Sequence, residues 1–142
     1  MPAFRILAAA VLCAAATAAT AQPNKIPHLS DHSNSSLIDK ATATKMLTDG
    51  IPAKVWKVYS PRQWGFISEV EGGFTAKKIC VVAARVTMIP LTVTLKAPLM
   101  RPEKIATAYD ALPDATQEQC KELARQKLDE AIQGIVASLV KT

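Results

Sequence analysis

Two cysteines, Cys80 and Cys120, lie on apolar stripes of different period, and no other feature constrains the fold as much. From Phe74 to Ile89 the chain alternates: Cys80, Val82, Ala84, Val86 and Met88 share one side, while Ile79, Val81, Ala83 and Arg85 share the other. That is the period of a β-strand, and two fairly apolar sides predict a central one. Between Asp114 and Lys141 the apolar residues Cys120, Leu123, Ala124, Leu128, Ala131, Ile132, Ile135, Val136 and Leu139 recur at helical spacing. Lys121, Glu122, Arg125, Asp129 and Glu130 stay off that stripe, as an amphipathic helix requires. A disulfide between Cys80 and Cys120 would staple this long helix across the sheet. Closing a loop of about 40 residues contributes roughly 4 kcal/mol in the chain-entropy view.

A disulfide needs an oxidising compartment, and the N-terminus predicts one. Arg5 precedes an uncharged Ala/Leu/Val run from Ile6 to Thr20, and Ala19-Thr20-Ala21 has the form of a cleavage site before Gln22-Pro23. The three parts make a secretory signal peptide over residues 1–21, too short in its apolar part to span a bilayer. Cys13 would leave with it, and Leu12 before it is not the small residue that a lipid-attachment site wants. The expected location is the periplasm or the exterior, with no transmembrane segment after processing. About 121 of the 142 residues then remain, enough for one domain and too few for two. With Arg5 gone, 16 basic residues face 12 acidic ones, a formal +4. So mild an excess does not suggest nucleic acid.

The remaining segments complete an expected α+β fold. Residues 22–34 (QPNKIPHLSDHSN) are polar and without apolar periodicity, so they read as a flexible leader to a domain spanning 35–142. Ser35 or Ser36 could cap a short helix carrying Leu37, Ile38, Ala41, Met46 and Leu47, stopped by Gly50 and Pro52. Lys54 to Tyr59 reads as a short strand. Trp64 to Val70 and Phe74 to Ile89 read as a hairpin turning at Glu71-Gly72-Gly73, since paired glycines permit positive φ. Leu91 to Ala97 (LTVTLKA) alternates like a half-buried strand, and Lys104 to Leu112 reads as a last one despite its alanines. Asp114 is placed to cap the long helix, and Gly134 could let that helix approach a strand closely. The sum is a two-layer architecture: an antiparallel sheet of about four strands, with a short N-terminal and a long C-terminal helix on one face.

Residues with catalytic potential are sparse. His28 and His32 are spaced H-x-x-x-H with Asp31 between them, but a metal site needs a fixed third ligand, and a polar leader offers no scaffold. No metal and no cofactor is expected. Glu69 and Glu71 share a strand face beside the hairpin turn, where solvated carboxylates are common and nothing apolar tunes them for proton transfer. No nucleophile elbow or zincin motif occurs. The chain is therefore read as a non-enzyme.

Aromatic placement is the one pattern that stands out. Of six aromatics beyond the leader, Trp56, Tyr59, Trp64, Phe66 and Phe74 lie within residues 56–74, interleaved with Lys54, Lys57 and Arg62. Tyr and Trp beside Arg characterise interface hot spots, so Trp56, Lys57, Tyr59, Arg62 and Trp64 form the candidate binding surface; a local aromatic core is the alternative use. The expected function is that of an exported, non-enzymatic binding or interaction protein with an envelope protein as partner. An inhibitor- or immunity-type protein, or an accessory subunit of an envelope assembly docking through an edge such as residues 91–97, would fit. A small-ligand carrier holding lipid or glycan between sheet and helices is the alternative.

Overall fold

A computed structural model describes residues 27–94, 97–99 and 101–140, and among these it has four strands and three helices. Strand β1 is His28–Asp31, followed by helices α1 (Lys40–Gly50) and α2 (Ala53–Val58). Then come β2 (Trp64–Phe74), β3 (Cys80–Pro90), β4 (Lys104–Leu112) and helix α3 (Gln117–Leu139). The sheet order is β1-β2-β3-β4, with β2–β3 and β3–β4 antiparallel and β1–β2 parallel. The architecture is the expected α+β one, in a mixed sheet. The parallel pair follows from connectivity, because α1 and α2 form the crossover that parallel neighbours need. The signal peptide expected at 1–21 lies outside the described residues.

The layer between helices and sheet is filled from both sides. Val82, Ala84, Val86 and Met88 of β3 are fully buried, as are Phe66 and Val70 of β2. Opposite them stand Leu128, Ala131, Ile132 and Ile135 of α3, with Ala43 and Leu47 of α1. Gly134 lets α3 lie close to β4, since a Cβ there would sit 3.4 Å from Ala106 Cβ. Cys80, the first residue of β3, is bonded to Cys120 in the first turn of α3, with Cα atoms 5.7 Å apart. Both are fully buried.

Several local expectations are corrected. Residues 28–31 are not part of a flexible leader. Buried Asp31 accepts from Ser68 Oγ at 2.8 Å and Ser33 Oγ at 2.6 Å, and Ser33 Oγ accepts from the Val70 backbone at 2.9 Å. These bonds tie β1 to β2 through polar groups, which apolar periodicity does not register. Helix α1 starts at Lys40 rather than after Ser35 or Ser36. Asp39 caps it by accepting from Thr42 N at 2.9 Å, and hydrogen bonds from the Thr42 side chain and backbone hold its carboxyl below the ordinary 3.8. Leu37 and Ile38 are nonetheless buried, in the turn before the helix.

Residues 54–59 are not a strand. They belong to α2 and its C-cap Tyr59, which bury Val55. The i, i+4 pair Val55 and Tyr59 suits a helix as well as a strand, and six residues are too few for period to decide. Residues 91–97 form no strand among their described members: Leu91 bridges Pro98, and Thr92 N donates to Ala97 O at 2.8 Å. Alternation had no neighbouring strand to pair with. The cap of α3 is Thr116, in a capping box with Gln119, while Asp114 takes a left-handed φ of 52° in the preceding turn.

The hairpin turn is also displaced. Glu71, Gly72 and Gly73 lie inside β2, opposite Ala83, Val82 and Val81, and the turn falls at 75–79, where Thr75 N donates to Ile79 O at 2.9 Å. Gly72 has φ +133°, and a Cβ there would meet the Val81 carbonyl oxygen at 2.0 Å; at Gly73, with φ +146°, a Cβ meets nothing within 4 Å. Gly72→Ala should therefore destabilise by about 3 kcal/mol or more, combining backbone strain and clash, and Gly73→Ala by only about 1 kcal/mol. Paired urea titrations would check the difference, and equal losses would contradict it. Cys80→Ser with Cys120→Ser should lower stability by about 2–4 kcal/mol. Alkylation of unreduced protein should add no label to either cysteine.

Candidate functional site

All three helices lie on one side of the sheet, so the other side is bare. Cross-strand register gives its rows: Ile67, Thr87 and Ile105; Glu69, Arg85 and Thr107; Glu71, Ala83 and Tyr109; Gly73, Val81 and Ala111. Alternation along β3 places Val81, Ala83, Arg85 and Thr87 here because Cys80, Val82, Ala84 and Val86 face the helices. Exposure is high for apolar side chains: Tyr109 at 79%, Ile105 at 56% and Val81 at 40%. At the β1 end the described residues of the segment after β3 turn back, Leu91 bridging Pro98, and Ile89 and Leu91 are buried there.

Under that segment lies a groove of about 210 Å³. Ile67, Ile89, Ile105 and Pro102 supply apolar walls; His32, Glu69, Arg85 and Thr87 supply polar ones. Arg85 and Glu69 face each other across β2 and β3 at 3.5 Å, both partly in solvent. A pair so placed is worth little in stability, and its charges stay available to a partner. A shallower dip of about 40 Å³ continues along Glu69, Glu71 and Thr107. The groove can therefore receive a mixed apolar and polar surface. Glu69 and Glu71 share this side as their spacing requires. His32 reaches the groove because its backbone N–H donates to Ser68 O at 2.9 Å, extending β1 pairing by one residue. His28 and His32 lie on the bare side and Asp31 on the helix side, so the three do not converge. Among the described residues no cluster of three His, Cys, Asp or Glu side chains is placed to hold a metal.

The aromatic candidates assemble elsewhere, around α2 and the start of β2. Trp56 meets Phe66 edge-on at 5.3 Å, and Tyr59 meets Trp64 edge-on at 6.0 Å. Phe66 is fully buried, while Trp56, Tyr59 and Trp64 are half-buried against the core. Each such pair adds about 0.5–1.5 kcal/mol beyond burial, and together they clamp α2 onto β2. Lys57 and Arg62 are exposed beside them. Phe74 is at the opposite end of the sheet, paired with Cys80. The sequence did not reveal Lys127, which lies within the buried stripe of α3. Its ammonium donates to Glu130 at 2.6 Å and approaches Asp110 of β4 at 3.5 Å. The Glu130 bond, ahead of the Asp110 charge, raises its pKa. The Asp110 carboxyl is lowered, first by the Ala111 N–H and then by Lys127.

No protein-family model matches the chain, and no curated protein matches it. Among solved structures, a minor lipoprotein from Acinetobacter baumannii is 14% identical, covering 78% of this chain and 90% of its own, with a TM-score of 0.39. PelC from Paraburkholderia phytofirmans, solved as a dodecamer, is similar in two crystal forms, at 10% and 8% identity. These cover 72% of this chain and 87% and 85% of PelC, with TM-scores of 0.35 and 0.33. Superpositions this loose carry no statement about function. No helix among the described residues is long and apolar enough to cross a membrane.

If the aromatic clamp is structural, Trp56→Ala and Trp64→Ala should each cost about 2–4 kcal/mol and Phe66→Ala about 3–5 kcal/mol. Lys57→Ala and Arg62→Ala should stay within about 0.5 kcal/mol of the parent. Chemical denaturation of the five variants would test this, and unchanged midpoints for both tryptophan variants would contradict it.

Proposed function

We propose that this chain is an exported, non-catalytic binding protein that docks a protein partner of the cell envelope on the bare side of its sheet. The observation that carries the reading is that one-sidedness. Exposed Tyr109 and Val81 lie on one side of the polar row of Glu69, Arg85 and Thr107, and exposed Ile105 lies on the other, in the wall of the groove that Arg85, Glu69 and Thr87 also line. Aromatic and aliphatic anchors with charges at their margin are what a protein interface uses. Export is supported by the buried Cys80–Cys120 bond, which suits an oxidising compartment, and by the leader-like composition of residues 1–21.

The carrier alternative gains less support. Side chains of β3 and α3 bury one another where a lipid or glycan would have to lie, and the bare-side groove, at about 210 Å³, is smaller than the ~300–1,000 Å³ of ordinary ligand pockets. Lys57 and Arg62, exposed beside half-buried Trp56, Tyr59 and Trp64, are proposed as a second contact region.

Affinity capture from envelope extract, with Thr87→Trp and Lys57→Ala/Arg62→Ala variants run beside the parent, tests both. Thr87→Trp fills the groove without touching the buried side. It should remove a stoichiometric partner while leaving the melting temperature within a few degrees. Loss of the partner with the Lys57/Arg62 variant alone would move docking to the aromatic rim. A co-purifying small molecule with no protein partner would overturn the reading in favour of a carrier.

A further inference from the structure

The free edge of the sheet is β4, and its sequence is complementary to itself. Among the described residues β4 has a strand neighbour on one side only. It is nine residues long, KIATAYDAL, and not one of them is buried. The other edge, β1, has only four residues. Proteins usually blunt a long edge with proline, a bulge or charges along its middle. Residues 105–109 of β4 contain no proline, glycine or charge.

We propose that β4 pairs antiparallel with β4 of a second copy of this chain, about a two-fold axis through Thr107. In that register Lys104 faces the other copy's Asp110, Ile105 faces its Tyr109, and Ala106 faces its Ala108. One Lys104–Asp110 pair thus forms at each end of the interface, and gives Asp110 a second cation beside Lys127 of its own chain, 3.5 Å away. Lys104 and Asp110 lie on the same side, since their β3 partners Met88 and Val82 both face the helices. Ile105 and Tyr109 lie on the bare side, where they are among the most exposed apolar side chains of the chain. Tyr109 stands beside Ala83, whose small side chain leaves the ring open to a neighbour. A β-branched residue opposite an aromatic is a favourable cross-strand pair.

Charge selects this register. Moving it by two residues in either direction sets Lys104 against Ala108 or Leu112 and leaves Asp110 without a cation across the interface. A shift by one residue would turn the side chains to opposite faces. The pairing would give each edge the hydrogen-bonding partner it lacks. It would also make one eight-stranded sheet whose two bare sides are continuous, because a two-fold axis through paired antiparallel strands stands perpendicular to the sheet.

Sedimentation equilibrium on the exported, processed protein tests the proposal, with Lys104→Asp and Asp110→Lys variants alone and mixed. The parent should be a dimer at micromolar concentration. Each single variant opposes like charges at both ends of the interface and should weaken association about tenfold, which is about 1.4 kcal/mol over the two cross-strand pairs. Mixing the two should restore a dimer containing one chain of each, because each then supplies the sign that the other lacks. A misfolded variant could not be rescued in this way. The proposal is overturned by a parent that stays monomeric up to about 100 µM, an edge left for some other strand. It is equally overturned by a dimer indifferent to both variants. Neither result bears on capture of an envelope partner through the groove.

Discussion

The bond between Cys80 and Cys120 joins the first residue of β3 to the first turn of α3, and the rest of the arrangement hangs on that junction. Helix α3 supplies most of the apolar surface that covers β3 and β4. Held at its N-terminal end, it can lie along the sheet with Leu128, Ile132 and Ile135 over the valines of β3. Two further contacts join it to β4: Gly134 stands against Ala106, and Lys127 reaches from α3 to Asp110. A covalent link of this kind acts mainly by restricting the unfolded chain, which matters in a domain of modest size.

Because every helix lies on one side, the other side of the sheet is left to solvent, and its composition is not that of an ordinary wet face. Glu69, Arg85 and Thr107 form a polar row, but Ile67, Ile105, Val81 and Tyr109 do not belong to one. The polar staple of Asp31, Ser33 and Ser68 sits on the helix side and holds β1 in place without using any bare-side residue. The residues proposed for docking and those that hold the fold are thus different across most of the sheet.

Around α2 they overlap. Trp56 and Trp64 are turned edge-on to their neighbours and half-buried, so the same rings that clamp α2 present edges beside Lys57 and Arg62. Core and surface were competing uses for these residues in the sequence; the geometry divides each ring between them.

How far the sequence could be read depended on how many residues each pattern had. The 23 residues of α3 and the 11 of β3 repeat their periods often enough to fix element type, buried side and the stapling of Cys80 to Cys120. One-residue features such as Gly134 were legible for the same reason, being set against a long regular background. Short segments were not: 54–59 and 91–97 alternate like strands, yet pairing partners and helix contacts, which are non-local, made one a helix and left the other without a strand. The turn at 75–79 replaced Glu71-Gly72-Gly73 because strand pairing continued through the glycines. Strand β1 was hidden because polar hydrogen bonds, not apolar burial, hold it. By itself, then, the sequence determined the layers, the disulfide and the side of the sheet that the helices cover, since local periodicity and burial decide those. Only tertiary structure decided which strands join, where the groove lies and which edge stays open, because each depends on partners distant in the chain.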